Sequence, residues 1–341
     1  MTDELRRQRK IDHIENYLKS YKKGNNLLSD VFIEHQSLPE IDFNEIDTSV
    51  EFLGKKIEFP LMINAMTGGS DICIDINTDL SNICYEFGFP MATGSEVIAL
   101  KDEESLDSFE IVKNQSKGEF QVIGNMPANS SIEEMKKAEM ILNADAMQLH
   151  LNPAQELIMS EGERNFIGYL QNIENLLKNF DKPIIVKEVG FGMSKDTIKK
   201  LLDIGVEYID ISGKGGTNFV EIEDMRNYES DFSSLYEWGI PTAKSIIDAR
   251  KISNNFYLIA SGGLSSGVEL AKSIIIGADM TAMSGEILSF LLRGGYDYTK
   301  NFLDNLIYEF KVVMALLGVK NIEELKKVPY KVTGKLKELI D

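Results

Sequence analysis

The sequence is poor in residues that several common protein chemistries need. Its 341 residues include two cysteines, Cys73 and Cys84, without CxxC spacing, so neither a zinc site nor a redox dithiol is indicated. Both read as reduced thiols in the core or on a helix face, which fits a cytoplasmic protein. Three histidines occur, His13, His35 and His150, and none stands with a serine elbow or a cysteine nucleophile motif, so acyl transfer has little support. No run of 18 apolar residues is present, and the opening stretch MTDELRRQRK is charged throughout, so neither a membrane span nor a secretory signal is expected. Positive charge is scarce too: 36 Lys and Arg stand against 54 Asp and Glu, a net charge of −18. That balance argues against a nucleic-acid or anionic-membrane surface. A small anionic ligand would need local cations, oriented N–H groups or a metal ion to offset the field of the whole protein.

What the sequence does contain is 43% apolar residues, enough for a sizeable core, arranged in eight short runs. They span 60–64, 87–93, 120–125, 146–152, 183–189, 208–212, 256–261 and 280–284. The runs are continuous rather than alternating, as in strands buried on both faces of a parallel sheet. Helical patterns lie between them, opened by Ser131-x-x-Glu134, Ser194 and Ser266-x-x-Glu269 and stopped by glycines such as Gly205 and Gly277. Eight β/α units over roughly 230 residues predict a single-domain (β/α)8 TIM barrel. Its parts are an N-terminal helical extension (1–55), the barrel (56–298) and closing helices (299–341). A doubly wound sheet is the runner-up, weakened because GFGMSK and GKGGTN both lack the third glycine of GxGxxG. The stretch Lys214–Lys244 is too long for a simple βα loop and predicts a functional loop or an extra helix.

In a barrel the chemistry sits at the carboxyl ends of the strands. Here those ends carry Met66-Thr67-Gly68-Gly69, Thr93-Gly94-Ser95, Asn125, His150-x-Asn152, Lys187-Glu188, Ser212 to Thr217, Ser261-Gly262-Gly263 and Ser284-Gly285. Glycines after the seventh and eighth strands fall where barrels commonly take phosphate on backbone N–H groups. Thr67, Ser95, Asn125 and Lys187 supply donors and acceptors for a flat polar ring, and Lys187 can also hold negative charge on a reduced one. Singly, each glycine pair is most often a tight turn and Lys187 is as readily an ion-pair partner. Jointly they point to a phosphorylated planar cofactor across the barrel mouth. In the stretch His150 to Glu156, alternation places His150 and Asn152 on one face, and Pro153 turns the chain before Gln155 and Glu156. Glu156 beside neutral polar groups suits Mg2+ if substrate phosphates and water complete the oxygen shell; a satisfied histidine and a solvated glutamate are the bland alternative. Near the N-terminus, Arg9, Lys10 and His13 share one helical face beside the apolar stripe Ile11, Ile14 and Leu18. They read either as a solvated basic face or as three cations aimed at one phosphate.

These motifs resemble the type 2 isopentenyl-diphosphate isomerase family. The segments that carry the resemblance are RKIDHI, MTGG, ATGS, QLHLNPAQE, VKEVGFG, DISGKGGTNF, WGIPTA and ASGG, in order from Arg9 to the last strands. The resemblance implies interconversion of isopentenyl and dimethylallyl diphosphate with FMN, Mg2+ and NADPH as reductant, in a homotetramer or octamer. It implies that Arg9, Lys10 and His13 bind the diphosphate, with Ser95 and Gln155 also at the substrate. Gln155 would lie at the allylic carbon chain, His150 and Asn152 would shape that site, and Glu156 would hold Mg2+. Met66, Thr67, Gly68, Ser95, Asn125, Lys187, Ser212, Thr217, Gly262, Gly263, Ser284 and Gly285 would contact FMN. One departure stands out: many relatives carry a basic residue where this chain has Ser265. The flavin phosphate is then left to N–H groups and some other residue, for which Lys214 is a candidate.

Moving a double bond by one carbon needs a proton added at one carbon and another removed two carbons away. The sequence offers no pair of acidic side chains suited to both, so the reduced flavin is the expected acid–base and the protein its holder and shield. Two other readings remain. An FMN-dependent 2-hydroxy-acid oxidase would need a His base with a nearby Arg on a late strand, where no DxHGxR-like stretch occurs. A non-catalytic flavin- or phosphate-binding regulator would have no use for Gln155 and Glu156.

Overall fold

The computed structural model describes residues 3–20, 24–226 and 231–340. Eight parallel strands form a closed barrel, and each coincides with one of the apolar runs. They are β1 (Leu61–Ile63), β2 (Met91–Ala92), β3 (Val122–Pro127), β4 (Ala146–Leu151), β5 (Ile184–Glu188), β6 (Tyr208–Asp210), β7 (Tyr257–Ala260) and β8 (Met280–Met283). Neighbours in sequence pair in register, and β8 returns to β1 with Thr281 opposite Leu61. The fold is therefore a (β/α)8 TIM barrel, and the doubly wound alternative is excluded by closure. The run from Phe87 differs in its start: Phe87 is the last residue of the helix Ile72–Phe87, and Gly88 ends that helix in the left-handed region at φ 69°.

The barrel interior is filled rather than hollow. Met62, Ala92, Ile123, Ala146, Ile185, Ile259, Met280 and Ala282 pack its centre. A short antiparallel pair, Val50–Phe52 with Lys55–Ile57, plugs the amino-terminal end. Phe52 sits there fully buried against the rings of Tyr208 and Tyr257, and Gln121 Nε2 holds its carbonyl at 2.9 Å. Chemistry is thereby confined to the opposite, carboxyl-terminal mouth.

The helices start where side-chain caps predict. Ser131 and Glu134 form a reciprocal capping box, and Ser194 accepts from Thr197 N. Ser266 accepts from Glu269 N, but the Glu269 carboxylate reaches back one residue further, to Ser265 N and Oγ. The N-terminal extension contributes α1 (Asp3–Ser20), which lies over the barrel mouth. The long stretch 214–244 contains the extra helix Phe219–Asp224 and the turn Ser233–Leu235; its residues 227–230 lie outside the described residues.

The closing segment departs from the helical reading. Thr299 falls inside one helix, Gly285–Leu317, that bends at Gly295 with φ 74°. Further on, Tyr330–Val332 is a strand, paired antiparallel with Val31–Ile33, so the two ends of the chain clasp each other. The pattern of apolar residues could not show a pairing made across 300 residues. No helix among the described residues is long and apolar enough to cross a membrane.

Phe310 anchors the closing helix: it is fully buried, 5.0 Å from the Phe59 ring. Phe310→Ala should lower the unfolding free energy by about 3–5 kcal/mol. Leu38→Ala, at a position 77% exposed, should change it by no more than about 0.5 kcal/mol. Urea titration of the two variants measures both.

Candidate active site

Above the apolar layers the strand ends turn polar, and a buried hydrogen-bond network ties four strands together. Asn64, just after β1, donates to Asp210 Oδ2 at 2.6 Å and accepts from Gln148 Nε2 of β4 at 2.9 Å. Asp210 Oδ1 in turn accepts from Ser261 Oγ at 2.6 Å, beyond β7, and from Ser212 N at 3.1 Å. Beside this network Lys187, 5% exposed, points its Nζ at the Glu188 carbonyl, 2.9 Å away. Burial pushes the Lys187 ammonium down, and the charges of Asp210 and Glu188 pull it back up. Glu188 Oε2 accepts from four successive backbone N–H groups, Val189 to Gly192. Burial still lifts this carboxyl to about 7, against those donors and Lys187.

A single cavity of about 690 Å3 opens over this layer. Of the residues that the resemblance assigns to FMN, substrate or Mg2+, all but Gly68 line it, and the suggested phosphate partner Lys214 does not. Gly68 faces the other way: a Cβ there would stand 2.4 Å from the Phe109 ring, so its missing side chain serves the packing of the loop after β1. Met66, Thr67, Ser95, Asn125, Lys187, Ser212 and Thr217 surround the floor, and Gly262, Gly263, Ser284 and Gly285 form one wall. The Thr67 hydroxyl already donates to Asn77 Oδ1 at 2.6 Å, so it can only accept from a ligand.

The glycine wall is two loops pressed together. A Cβ on Gly262 would lie 1.9 Å from the Gly213 carbonyl oxygen, and one on Gly263 would lie 2.0 Å from that of Gly215. Both glycines have positive φ, 105° and 77°, which L residues rarely adopt. Their carbonyls are held by Thr242 Oγ1 and by Asn26 Nδ2 at 2.9 Å. Their N–H groups have no acceptor among the described residues. Unpaired donors grouped in this way make an anion site. Lys214 does not add to it. Its Nζ is 2.6 Å from the Glu237 carboxylate and also holds the Glu237 carbonyl, so the suggestion that it offsets Ser265 fails.

The opposite side of the cavity is cationic. Arg9 lies 3.7 Å from Glu161, and its Nε is buried without an acceptor among the described residues. Lys10 has no hydrogen-bond or ion-pair partner there either. Burial, then the neighbouring Arg9, push the Lys10 ammonium down to about 8. His13 is different from the cation expected of it. Its Nε2 is 2.8 Å from Glu223 Oε1, and burial lowers its pKa against the pull of that carboxylate. Glu223 was not singled out from the sequence. It lies in the helix Phe219–Asp224, within the stretch flagged only by its length. Burial pushes its carboxyl up, yet His13, Gln155 Nε2 at 2.8 Å and Arg226 together hold it down at about 2.

Between the two ends sit the residues of the fourth strand end. His150 Nδ1 is 2.9 Å from Asn125 Oδ1, an oxygen that can only accept, so the ring carries its proton on Nδ1. Burial, then the charges of Lys187 and Lys10, hold His150 down at about 3, which leaves a neutral ring. Asn152 Nδ2 donates to Gln155 Oε1 at 3.3 Å and to Glu156 Oε1 at 2.9 Å. The Gln155 amide is thereby oriented at both ends, nitrogen to Glu223 and oxygen to Asn152. Glu156 Oε2 accepts from Glu163 N at 2.7 Å. No group of three or more His, Cys, Asp or Glu among the described residues is placed to hold a metal.

Comparisons with known proteins give the family and the fold. The profile of the FMN-dependent dehydrogenase family matches residues 112–330. An isopentenyl-diphosphate delta-isomerase of Bacillus licheniformis is 40% identical over 96% of this chain and 94% of its own. One of Listeria innocua is 38% identical over 98% and 94%. Among solved structures, the flavin-binding domain of baker's yeast flavocytochrome b2 superposes with a TM-score of 0.68 at 18% identity, covering 96% of this chain and 80% of that one. Mandelate oxidase with (S)-mandelic acid gives 0.68 at 12%, covering 94% of each. Likeness at that identity shows the shared barrel.

A cation whose proton leaves near pH 8 gives a signed expectation. Protonated Lys10 attracts an anion, and above about 8 that charge is lost. Pyrophosphate, used as a probe in calorimetry, should bind more weakly as pH rises from 7 to 9. Lys10→Arg should flatten that decline, because a guanidinium keeps its proton.

Proposed function

The chain belongs to the FMN-dependent dehydrogenase family and, within it, to the type 2 isopentenyl-diphosphate isomerases, and on that premise we propose that it interconverts isopentenyl and dimethylallyl diphosphate. The observation that carries the reading is one cavity with two separate anion sites. Unpaired glycine N–H groups lie on one wall, and the Arg9 Nε without an acceptor and the unpartnered Lys10 on the other, with the polar cluster of His150, Asn152 and Gln155 between them.

The residues present fit FMN. The glycine wall would be filled by any Cβ yet leaves its N–H groups free for a phosphate. Ser95, Asn125 and Lys187 border the floor where a polar ring would lie. When bound and reduced, FMN supplies an electron-rich ring and a site through which a proton can be exchanged. Lys187 would hold the added negative charge. Its ammonium is already buried and only partly compensated, so a neighbouring anion would raise its pKa.

The diphosphate would take Arg9 Nε and Lys10 Nζ, and His13 would join when its free Nδ1 is protonated. Glu156 would hold Mg2+ with diphosphate oxygens and water completing the shell, since no group of three or more His, Cys, Asp or Glu among the described residues could complete it. Glu223 fixes the Gln155 amide against the carbon chain, and Asn152 keeps Glu156 turned toward Gln155. His150, neutral and with Nε2 as its acceptor, adds shape and polarity without a charge that would compete with a cationic carbon skeleton. Burial of this cluster excludes water from a reaction in which an unactivated alkene must accept a proton. NADPH is the proposed flavin reductant, and the working form is a cytoplasmic homo-oligomer, a tetramer or octamer.

Conversion of isopentenyl diphosphate by the purified protein with Mg2+ and reduced FMN tests the reading. Gln155→Ala and Glu156→Gln should each cut turnover about 10²-fold or more while FMN stays bound, as its absorbance would show. Full rate in both variants would remove the site assignment.

A further inference from the structure

Asn26 lies between α1 and the strand Val31–Ile33, more than 180 residues from either glycine loop, yet it is 4% exposed and locked between them. Its side-chain nitrogen donates to the Gly263 carbonyl at 2.9 Å and to Glu269 Oε1 at 3.1 Å. Its side-chain oxygen accepts from Leu28 N at 2.9 Å, and its carbonyl accepts from Ala243 N at 3.0 Å. A Cβ on Gly215 would come within 2.6 Å of the Asn26 Cβ, so the contact depends on glycine there. Leu27, the next residue, is held at φ 59° with its N–H on Asn25 Oδ1 at 2.9 Å. A leucine in that region is strained, and the surrounding bonds keep it there.

These contacts have a consequence for anion binding. The loops 213–216 and 262–265 present the free N–H groups of Gly262 and Gly263 to one cavity only while they stay in register. Glu269 is the carboxylate behind that wall. Its Oε2 is taken by Ser265 N and Oγ, and its Oε1 by Asn26. Ser265 is thus engaged with Glu269 and contributes no positive charge. With Lys214 turned to Glu237, the wall relies on neutral donors placed by backbone geometry.

We infer that Asn26 is a positioning residue for the flavin phosphate: it clamps the two glycine loops together and holds the Glu269 carboxylate away from the anion. The inference rests on the FMN reading above and gives it a chain-specific part. It separates the phosphate end of the flavin from the ring end, which Asn26 does not approach.

The test compares FMN with riboflavin, which lacks the phosphate, by quenching of flavin fluorescence on titration with wild type, Asn26→Ala and Asn26→Asp. Wild type should prefer FMN. Asn26→Ala should weaken FMN at least tenfold and leave riboflavin within about twofold. Asn26→Asp keeps the size and the acceptor for Leu28 N, so the fold is preserved, but sets a second carboxylate against Glu269. It should lose at least as much of the FMN preference. Wild type that prefers FMN while both variants keep that preference would overturn this inference alone, and equal loss of both flavins would reduce Asn26 to general stability and overturn it too. Wild type that binds neither flavin would remove the FMN reading and this inference with it.

Discussion

The proposed function requires a protein with 18 surplus negative charges to make its cavity attractive to phosphate, and much of this structure fits that requirement. Three of the carboxylates buried around the cavity are each bonded by several donors. Asp210 is bonded by Asn64, Ser261 and Ser212, Glu188 by four backbone N–H groups, and Glu223 by His13, Gln155 and Arg226. Donors that point at carboxylates stabilise their charge locally and shape the floor. Among the unpaired groups that line the cavity are the Arg9 Nε, the Lys10 ammonium and the N–H groups of Gly262 and Gly263, while behind it the buried Glu96 Oε2 and Gln148 Oε1 also lack a hydrogen bond. A buried cation without a counter-charge is costly, and the depressed Lys10 expresses that cost. A bound anion would relieve it, which favours the proposed phosphate ligand.

The two ends of the cavity are built by different physics. At the glycine wall the donors belong to backbone, so their positions depend on loop packing that no charge mutation could replace. At the other end the donors are side chains on α1, and that helix must be brought to the mouth. His13 with Glu223, Asn16 with the Ile222 carbonyl at 3.5 Å, and Arg226 with Asp12 at 3.5 Å attach it to the helix Phe219–Asp224. The half-buried pair of Arg226 and Asp12 contributes little. The buried Glu223 contributes more, because it joins α1, Gln155 and Arg226 at one carboxylate. His13 on α1 and the Gln155 amide are therefore set by the same group.

Much of this was legible in sequence because a barrel sorts residues by position along each strand. Continuous apolar runs marked the eight strands, and the polar residues that follow them fell around one mouth. What sequence could not show was direction. Gly68 belongs to the same MTGG stretch as Met66 and Thr67, yet faces Phe109. Lys214 carries the right charge but turns to Glu237, and His13 carries the right ring but gives its Nε2 to Glu223. Glu223 and Asn26 were hidden for a related reason: neither sits at a strand end, and each acts through partners over 60 to 240 residues away. The clasp between Tyr330–Val332 and Val31–Ile33 is the same kind of long-range fact.

The central claim is that the protein's side chains hold and shield while the reduced flavin exchanges the proton. The most direct test is anaerobic conversion of isopentenyl diphosphate in D2O, run with the same protein carrying reduced or oxidised FMN. The account predicts turnover with reduced FMN only, with deuterium from solvent appearing in the dimethylallyl product. Equal rates with the two forms would contradict it and return the acid–base role to the protein's own side chains.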